Sequence, residues 1–246
     1  MAKDLFSKQA AGYSRWRPTY PPELVAYVAQ LVPERRLAWD CATGNGQAAL
    51  LLTDHFDKIM ATDLSAEQLK HAKPHPKITY GQGTAEQTEF GDNSFDLVTV
   101  AQAYHWFDHA AFSKEAHRVC KPGALVAIWA YGMSVADDAV INKMVLDFYV
   151  NVTDPYWDAA RKYVDEGYRT IPFYFEELPV ERKFSIRVDW GIAELQGYLN
   201  SWSAIQKFIQ VNGYNPVDQL IQELHPHWKK DTIGFNFPLY LRIGKV

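Results

Sequence analysis

Two glycines one residue apart, Gly44 and Gly46, follow a short apolar run that carries an acid, Asp40. A helix-like apolar pattern comes next. Gly44-Asn45-Gly46-Gln47-Ala48-Ala49 thus satisfies G-x-G-x-x-A, the spacing of a loop whose bare backbone lets a nucleotide approach closely. Taken alone, it also fits an ordinary tight turn. Asp40 separates the two ligands such a loop could take. A pyrophosphate over the loop would stand near its carboxylate, and like charges about 4 Å apart at an effective dielectric of about 20 repel by about 4 kcal/mol. S-adenosylmethionine reverses the sign, since it lacks phosphate and carries a sulfonium and an ammonium. Asp40 can attract that cation, tie the loop down by accepting backbone N–H bonds, or do both.

Further along, Asp63 ends a second apolar run, at the spacing where a carboxylate accepts ribose hydroxyls. Adenosyl and NAD sites share that feature, and Asp63 could instead serve the start of the helix beyond it. Thr84, Ala85 and Glu86 follow a third run, positioned for an adenine edge. A small residue there lets a backbone N–H reach a ring nitrogen, and a polar side chain can meet the exocyclic amine. Ala101, Gln102, Tyr104 and His105 follow a fourth run, at the mouth of the same site. His105 is the candidate catalytic base for a protonated acceptor, with an ordinary pKa of about 6.5. Its alternative is simple packing beside Trp106 and Phe107.

Elements in a definite order must hold these residues. Apolar runs around Leu37–Ala42, Lys58–Asp63, Lys77–Gly83, Ser94–Ala103 and Ala124–Tyr131 alternate with helix-like stretches. The pattern is an α/β parallel sheet with helices on both faces, which binds ligands beyond the carboxyl ends of its strands. Helix punctuation agrees: Pro21 and Pro22 open one helix, Ser65 with Gln68 forms a capping box, and Lys121-Pro122-Gly123 stops another. Residues 1–131 read as the cofactor-binding core with an N-terminal lid segment. Residues 132–180 read as an inserted helical, aromatic cap, and 181–246 as the end of the sheet with acceptor-side helices, all in one domain. Tyr149, Tyr156 and Trp157 of the cap are candidates to face an acceptor.

Composition narrows the function. The 246 residues are 48% hydrophobic, enough for one sizeable core. The net charge of -4, from 25 basic against 29 acidic residues, leaves no basic stripe, so a nucleic-acid partner is not expected. Cys41 and Cys120 are the two cysteines, which excludes a disulfide framework and suits a reduced cytoplasmic setting. No signal-peptide core or bilayer-length apolar window is present, so no membrane partner is expected. His225 and His227 lack further ligands nearby in sequence, and no metal is expected.

Four ordered blocks, "WDCATGNGQAA", "ATDLSAEQL", "GTAEQTEFGDNSFDLVTVAQAYHWFD" and "FSKEAHRVCKPGALVAIWAY", resemble the class I S-adenosylmethionine-dependent methyltransferases, in the small-molecule type 11 group. With "FSKQAAGYSRWRPTYP" upstream, the likeness extends to trans-aconitate methyltransferase-like proteins. The resemblance implies a Rossmann-like seven-stranded sheet with an antiparallel last strand. It also implies roles: Ala42, Gly44 and Gly46 along the methionine part of the cofactor, Asp63 on the ribose, and Leu64 against the adenine. Ala85 and Glu86 would meet the adenine edge, and Ala101 and His105 would lie beside the sulfonium. Tyr13 and Arg17 would fold over the site, with Arg17 a partner for the cofactor carboxylate. Ala42-Thr43 departs from the Gly-Cys or Gly-Thr of many members. The expectation is in-line methyl transfer to a small organic molecule, a carboxylic acid among the options, with Arg15, Arg17 or Arg161 able to anchor an acid, although Arg15 and Arg161 read better as solvated surface arginines. An NAD-dependent oxidoreductase and a non-catalytic S-adenosylmethionine-binding protein are the alternatives.

Overall fold

A computed structural model of the chain describes residues 16–246. Five parallel strands form its centre: β1 (Leu37–Cys41), β2 (Lys58–Asp63), β3 (Ile78–Gln82), β4 (Phe95–Ala101) and β5 (Cys120–Tyr131). Their spatial order is β3-β2-β1-β4-β5. Strand order therefore reverses between β1 and β4, and the crevice above that pair is where a ligand belongs. The remaining strands are the short β6 (Val135–Ala136) and β7 (Glu176–Leu178), then β8 (Phe184–Trp190) and β9 (Ile233–Lys245). β9 lies antiparallel beside β5, with Tyr131 opposite Leu239. On its outer edge β9 pairs with β8, where Phe184 meets the same Leu239. Seven strand positions thus run across the sheet. β6 extends the β5 side of β9, and β7 extends the β8 side.

Side chains of the central strands alternate between two cores, as a sheet covered on both faces requires. Leu125, Ala127, Trp129 and Tyr131 of β5 enter one, while Val126, Ile128 and Ala130 enter the other. The first core takes Leu24, Val25 and Val28 from α1 (Pro22–Gln30) and Ala48, Ala49 and Leu52 from α2 (Gln47–Leu52). The second takes Phe112, Ala116 and Val119 from α4 (His109–Val119), the helix after α3 (Ala66–Lys70). Asp108 caps α4 by accepting the Ala111 N–H at 3.0 Å.

The segment after β5 carries α5 (Ala139–Phe148), a π turn, a 3-10 turn and α6 (Arg161–Asp165). Between β8 and β9 lie three helices, α7 (Ile192–Asn200), α8 (Ser203–Asn212) and α9 (Pro216–Leu224). Trp202, extended at φ -73° and ψ 133°, breaks the first from the second and buries its ring in the first core. Among the described residues no helix is long and apolar enough to cross a membrane.

Candidate functional site

A cavity of about 320 Å³ opens at the carboxyl ends of β1, β2, β4 and β5. Its floor is the turn from β1 to α2. That turn needs left-handed backbone at three positions: Ala42 (φ 55°), Gly44 (φ 58°) and Gly46 (φ 84°). Glycine adopts this region freely, whereas alanine pays about 1–2 kcal/mol. The departure at Ala42 is therefore a strained residue in the loop. Gly46 caps α2, and a methyl group on it would press into the Tyr80 ring.

Asp63, at the end of β2, organises the next wall. Its Oδ2 accepts the Gly44 N–H at 2.7 Å and its Oδ1 accepts the Ser65 N–H at 2.8 Å. An ionised carboxylate can accept several hydrogen bonds at once, and the bond to Ser65 is the helix-start role expected of this side chain. Leu64, then Thr84, Ala85 and Glu86 after β3, continue this side of the cavity. Glu86 is steadied by the Asp108 N–H at 3.2 Å.

Ala101 and Gln102 line the far side, at the end of β4. Gln102 has φ 58°, and its Oε1 accepts the Tyr131 N–H at 2.8 Å, stitching β4 to β5 beyond the ladder. Arg17 reaches in from the N-terminal segment. It donates to the Tyr131 hydroxyl and to the Ser201 carbonyl, both at 3.0 Å, and lies 5.6 Å from the Tyr198 ring centre. Tyr20, Trp106 and Tyr131 add aromatic wall, and Asp158 lines it from the segment after β5.

Ten of the residues singled out from sequence converge on this cavity: Arg17, Ala42, Gly44, Asp63, Leu64, Thr84, Ala85, Glu86, Ala101 and Gln102. Tyr13 and Arg15 lie outside the described residues. Three others are corrected. Asp40 is sealed beneath the loop, 0% exposed, with its carboxylate accepting the hydroxyl protons of Thr43 and Thr99 at 2.5 and 2.7 Å. Burial pushes its pKa up to about 6, against the pull of those two hydroxyls and the Ala49 N–H. It ties the loop to β4 and does not line the cavity. Gly46 also falls outside the lining, for it faces Tyr80.

The third correction is His105. It sits in a 3-10 turn, Tyr104–Trp106, that rotates successive side chains by about 120°. Trp106 meets the cavity and His105 points away, its Nδ1 2.8 Å from the Tyr168 hydroxyl. Burial, then the nearby charges of Arg161 and His109, hold His105 down to about pKa 3. It is neutral at physiological pH and bonds to the segment after β5. Aromatics of that segment likewise turn inward: Tyr149 and Trp157 pack on each other and on Trp202 at 5.4 to 5.7 Å, and Tyr156 packs on Phe208. Arg161 stacks over the Tyr149 and Trp157 rings and pairs with Asp165 at 3.1 Å, so it too serves the cap.

Sequence reasoning missed Gln47, Gln68, Tyr20 and Tyr131 as lining residues. The position of Tyr131 at the carboxyl end of β5 was the available signal. The others depend on side-chain direction, which spacing does not carry.

Residues 39–128 match the family described as the methyltransferase domain. A Dictyostelium discoideum protein described as a putative methyltransferase is 30% identical over 250 residues, covering 98% of this chain and 95% of its own. The chain belongs to the class I S-adenosylmethionine-dependent methyltransferases. A solved structure from Anaeromyxobacter dehalogenans, described as a putative type II methyltransferase, superposes with a TM-score of 0.85 at 33% identity, over 93% of this chain and 97% of that one. An uncharacterized methyltransferase of Mycobacterium tuberculosis is 35% identical over 126 residues, half of each chain. S-adenosylmethionine is the cofactor of this methyltransferase. Dinucleotide chemistry is set aside with that family assignment, and the cavity residues fit the adenosyl group, with a carboxylate at the end of β2 and a glycine-bearing turn as its floor.

Proposed function

We propose that this methyltransferase transfers a methyl group to a small organic acid. The observation that carries the reading is the polar pair Arg17 and Tyr131 at the β5 end of a largely aromatic and aliphatic wall. Three strand spacings separate β5 from β2, about 14 Å in all, so this pair stands apart from the ribose carboxylate Asp63. A planar guanidinium matches a carboxylate by two parallel hydrogen bonds. We therefore give Arg17 to the acceptor rather than to the carboxylate of the cofactor.

In this reading Asp63 accepts the ribose hydroxyls, Leu64 supports the adenine face, and Thr84, Ala85 and Glu86 meet its edge. Ala42 and Gly44 carry the methionine part, and Ala101 leaves room beside the sulfonium. Bound cofactor supplies an electrophilic methyl group on a neutral leaving group. The protein then has to orient an acceptor oxygen in line and keep water out. Orientation of this kind is worth about 7–11 kcal/mol. A carboxylate is already deprotonated at neutral pH, which agrees with a cavity that His105 does not enter. The same resemblance that names trans-aconitate methyltransferase-like proteins supports an acid.

The test is a panel of small carboxylic acids, phenols and amines incubated with protein and S-adenosylmethionine, with products read by mass spectrometry. Methyl esters that disappear on mild base treatment are expected, and Arg17→Met is expected to raise KM for the acid by tenfold or more. Turnover of amines or phenols alone would overturn the acid assignment.

A further inference from the structure

The Ser65-x-x-Gln68 spacing implies a reciprocal capping box, with the Gln68 carboxamide returning to the Ser65 N–H. Only half of it forms. Ser65 Oγ accepts the Gln68 N–H at 3.2 Å, but the Ser65 N–H is taken by Asp63 Oδ1. The Gln68 carboxamide is released from the helix end and lies on the cavity wall, 4% exposed. Its Oε1 is buried with no hydrogen-bond partner among the described residues. A methyl group on Gly44 would sit 4.0 Å from that oxygen, so it faces the glycine loop. Gln47, the first residue of α2, also lines the cavity and has its side-chain carbonyl oxygen in the same condition.

Nearby backbone N–H groups do not relieve them. Thr43 donates to the Thr62 carbonyl at 2.9 Å, Gly44 donates to Asp63, and Gly46 donates to the Thr43 carbonyl at 3.0 Å. Two residues of the cavity wall thus hold buried acceptors in want of a donor. Buried polar groups in folded proteins are satisfied, by protein, water or ligand. A phosphate oxygen is itself an acceptor and cannot pair with these oxygens as the carboxamides are oriented; an ammonium brings three donors.

We propose that Gln68, together with Gln47, accepts hydrogen bonds from the α-ammonium of the methyl donor and selects that donor over phosphate-bearing adenine nucleotides. The inference rests on the reading of this cavity as the cofactor site. The discrimination that the sequence suggested for Asp40 passes to these two carboxamides.

Gln68→Met, near in shape and apolar, tests it by calorimetry and thermal melting of the free protein. Two ligands are compared: S-adenosylhomocysteine, and 5′-methylthioadenosine, which keeps the adenosine and sulfur but lacks the amino-acid part. Stabilisation of the wild type by S-adenosylhomocysteine is the control; its failure would strike the cofactor-site reading itself. Expected for Gln68→Met is a free protein that melts at or above wild type, because an unpartnered polar group has been removed. S-adenosylhomocysteine should bind at least tenfold more weakly, with methylthioadenosine within twofold of wild type. Preference for S-adenosylhomocysteine over ADP should shrink at least fivefold. Gln68→Glu, which keeps the acceptor, should hold S-adenosylhomocysteine within threefold. Unchanged affinity in Gln68→Met would overturn the proposal. So would equal weakening of both ligands, which would assign the partner to the ribose. A lower melting point with lost binding that Gln68→Glu does not restore would make Gln68 merely structural.

Discussion

Gly46→Ala isolates the physical basis of the loop. Two costs arise. The residue has φ 84°, where a Cβ costs about 1–2 kcal/mol. The new methyl group would also fall within contact of the Tyr80 hydroxyl and 3.1 Å from Cε1 and Cζ of its ring. Forcing the ring aside disturbs its hydrogen bond to the Lys73 carbonyl at 3.0 Å, and overpacking of this kind costs about 1–3 kcal/mol. Against these, alanine loses about 0.5–1 kcal/mol less chain entropy on folding. The net expectation is destabilisation of about 2–3 kcal/mol, or roughly 4–12 °C for a chain of this size. Urea unfolding of Gly46→Ala, Tyr80→Ala and the double variant, all without ligand, measures each part. Tyr80→Ala should recover about 1–2 kcal/mol of the loss, leaving the backbone part behind. A Gly46→Ala protein within 0.5 kcal/mol of wild type, or a double variant with purely additive losses, would refute the reasoning.

Asp40 and His105 should give pH dependences of opposite sign. Burial raises the folded pKa of Asp40 to about 6 from 3.8, so stability from its protonation is present at low pH and is lost as pH rises through about 6. Between pH 5 and 7 that loss is about 1 kcal/mol, and Asp40→Asn should flatten it in urea titrations at the two pH values. His105 is held at about 3 against 6.5, so its stabilisation is present above 6.5 and is lost as pH falls toward 3. From pH 7 to pH 5 the loss is about 2 kcal/mol, and His105→Gln should remove it; a difference from wild type that does not change with pH would contradict the burial argument. Ala42→Gly should relieve the strain at φ 55° and raise the melting temperature slightly, by an amount corresponding to about 0.5 kcal/mol. Asp63→Ala should fold, yet bind S-adenosylhomocysteine at least tenfold more weakly by calorimetry; retained affinity would remove the ribose assignment.

Much of this was legible because the signals are local. The run Leu37–Ala42, the glycine pair and Asp63 each announce a strand end or a turn through residue type and short spacing alone. The alternation of strands and helices up to Tyr131 carries topology, since parallel strands need crossovers. Helix limits were less legible: α7 and α8 part at Ser201 and Trp202, where the Trp202 ring is buried in the first core, a contact that local spacing does not carry.

What the amino-acid sequence determined by itself is therefore the Rossmann-like order of elements, the loop that bends where glycine permits, and the set of residues gathered at the strand ends. Only the tertiary structure decided which way each side chain turns. It closed Asp40 beneath two threonine hydroxyls, swung His105 to Tyr168, and freed Gln68 from its helix cap. Those outcomes depend on contacts between residues distant in the chain, such as Asp40 with Thr99 and His105 with Tyr168. Burial and competition for hydrogen-bond partners settle them, and both exist only once the strands and the cap have come together.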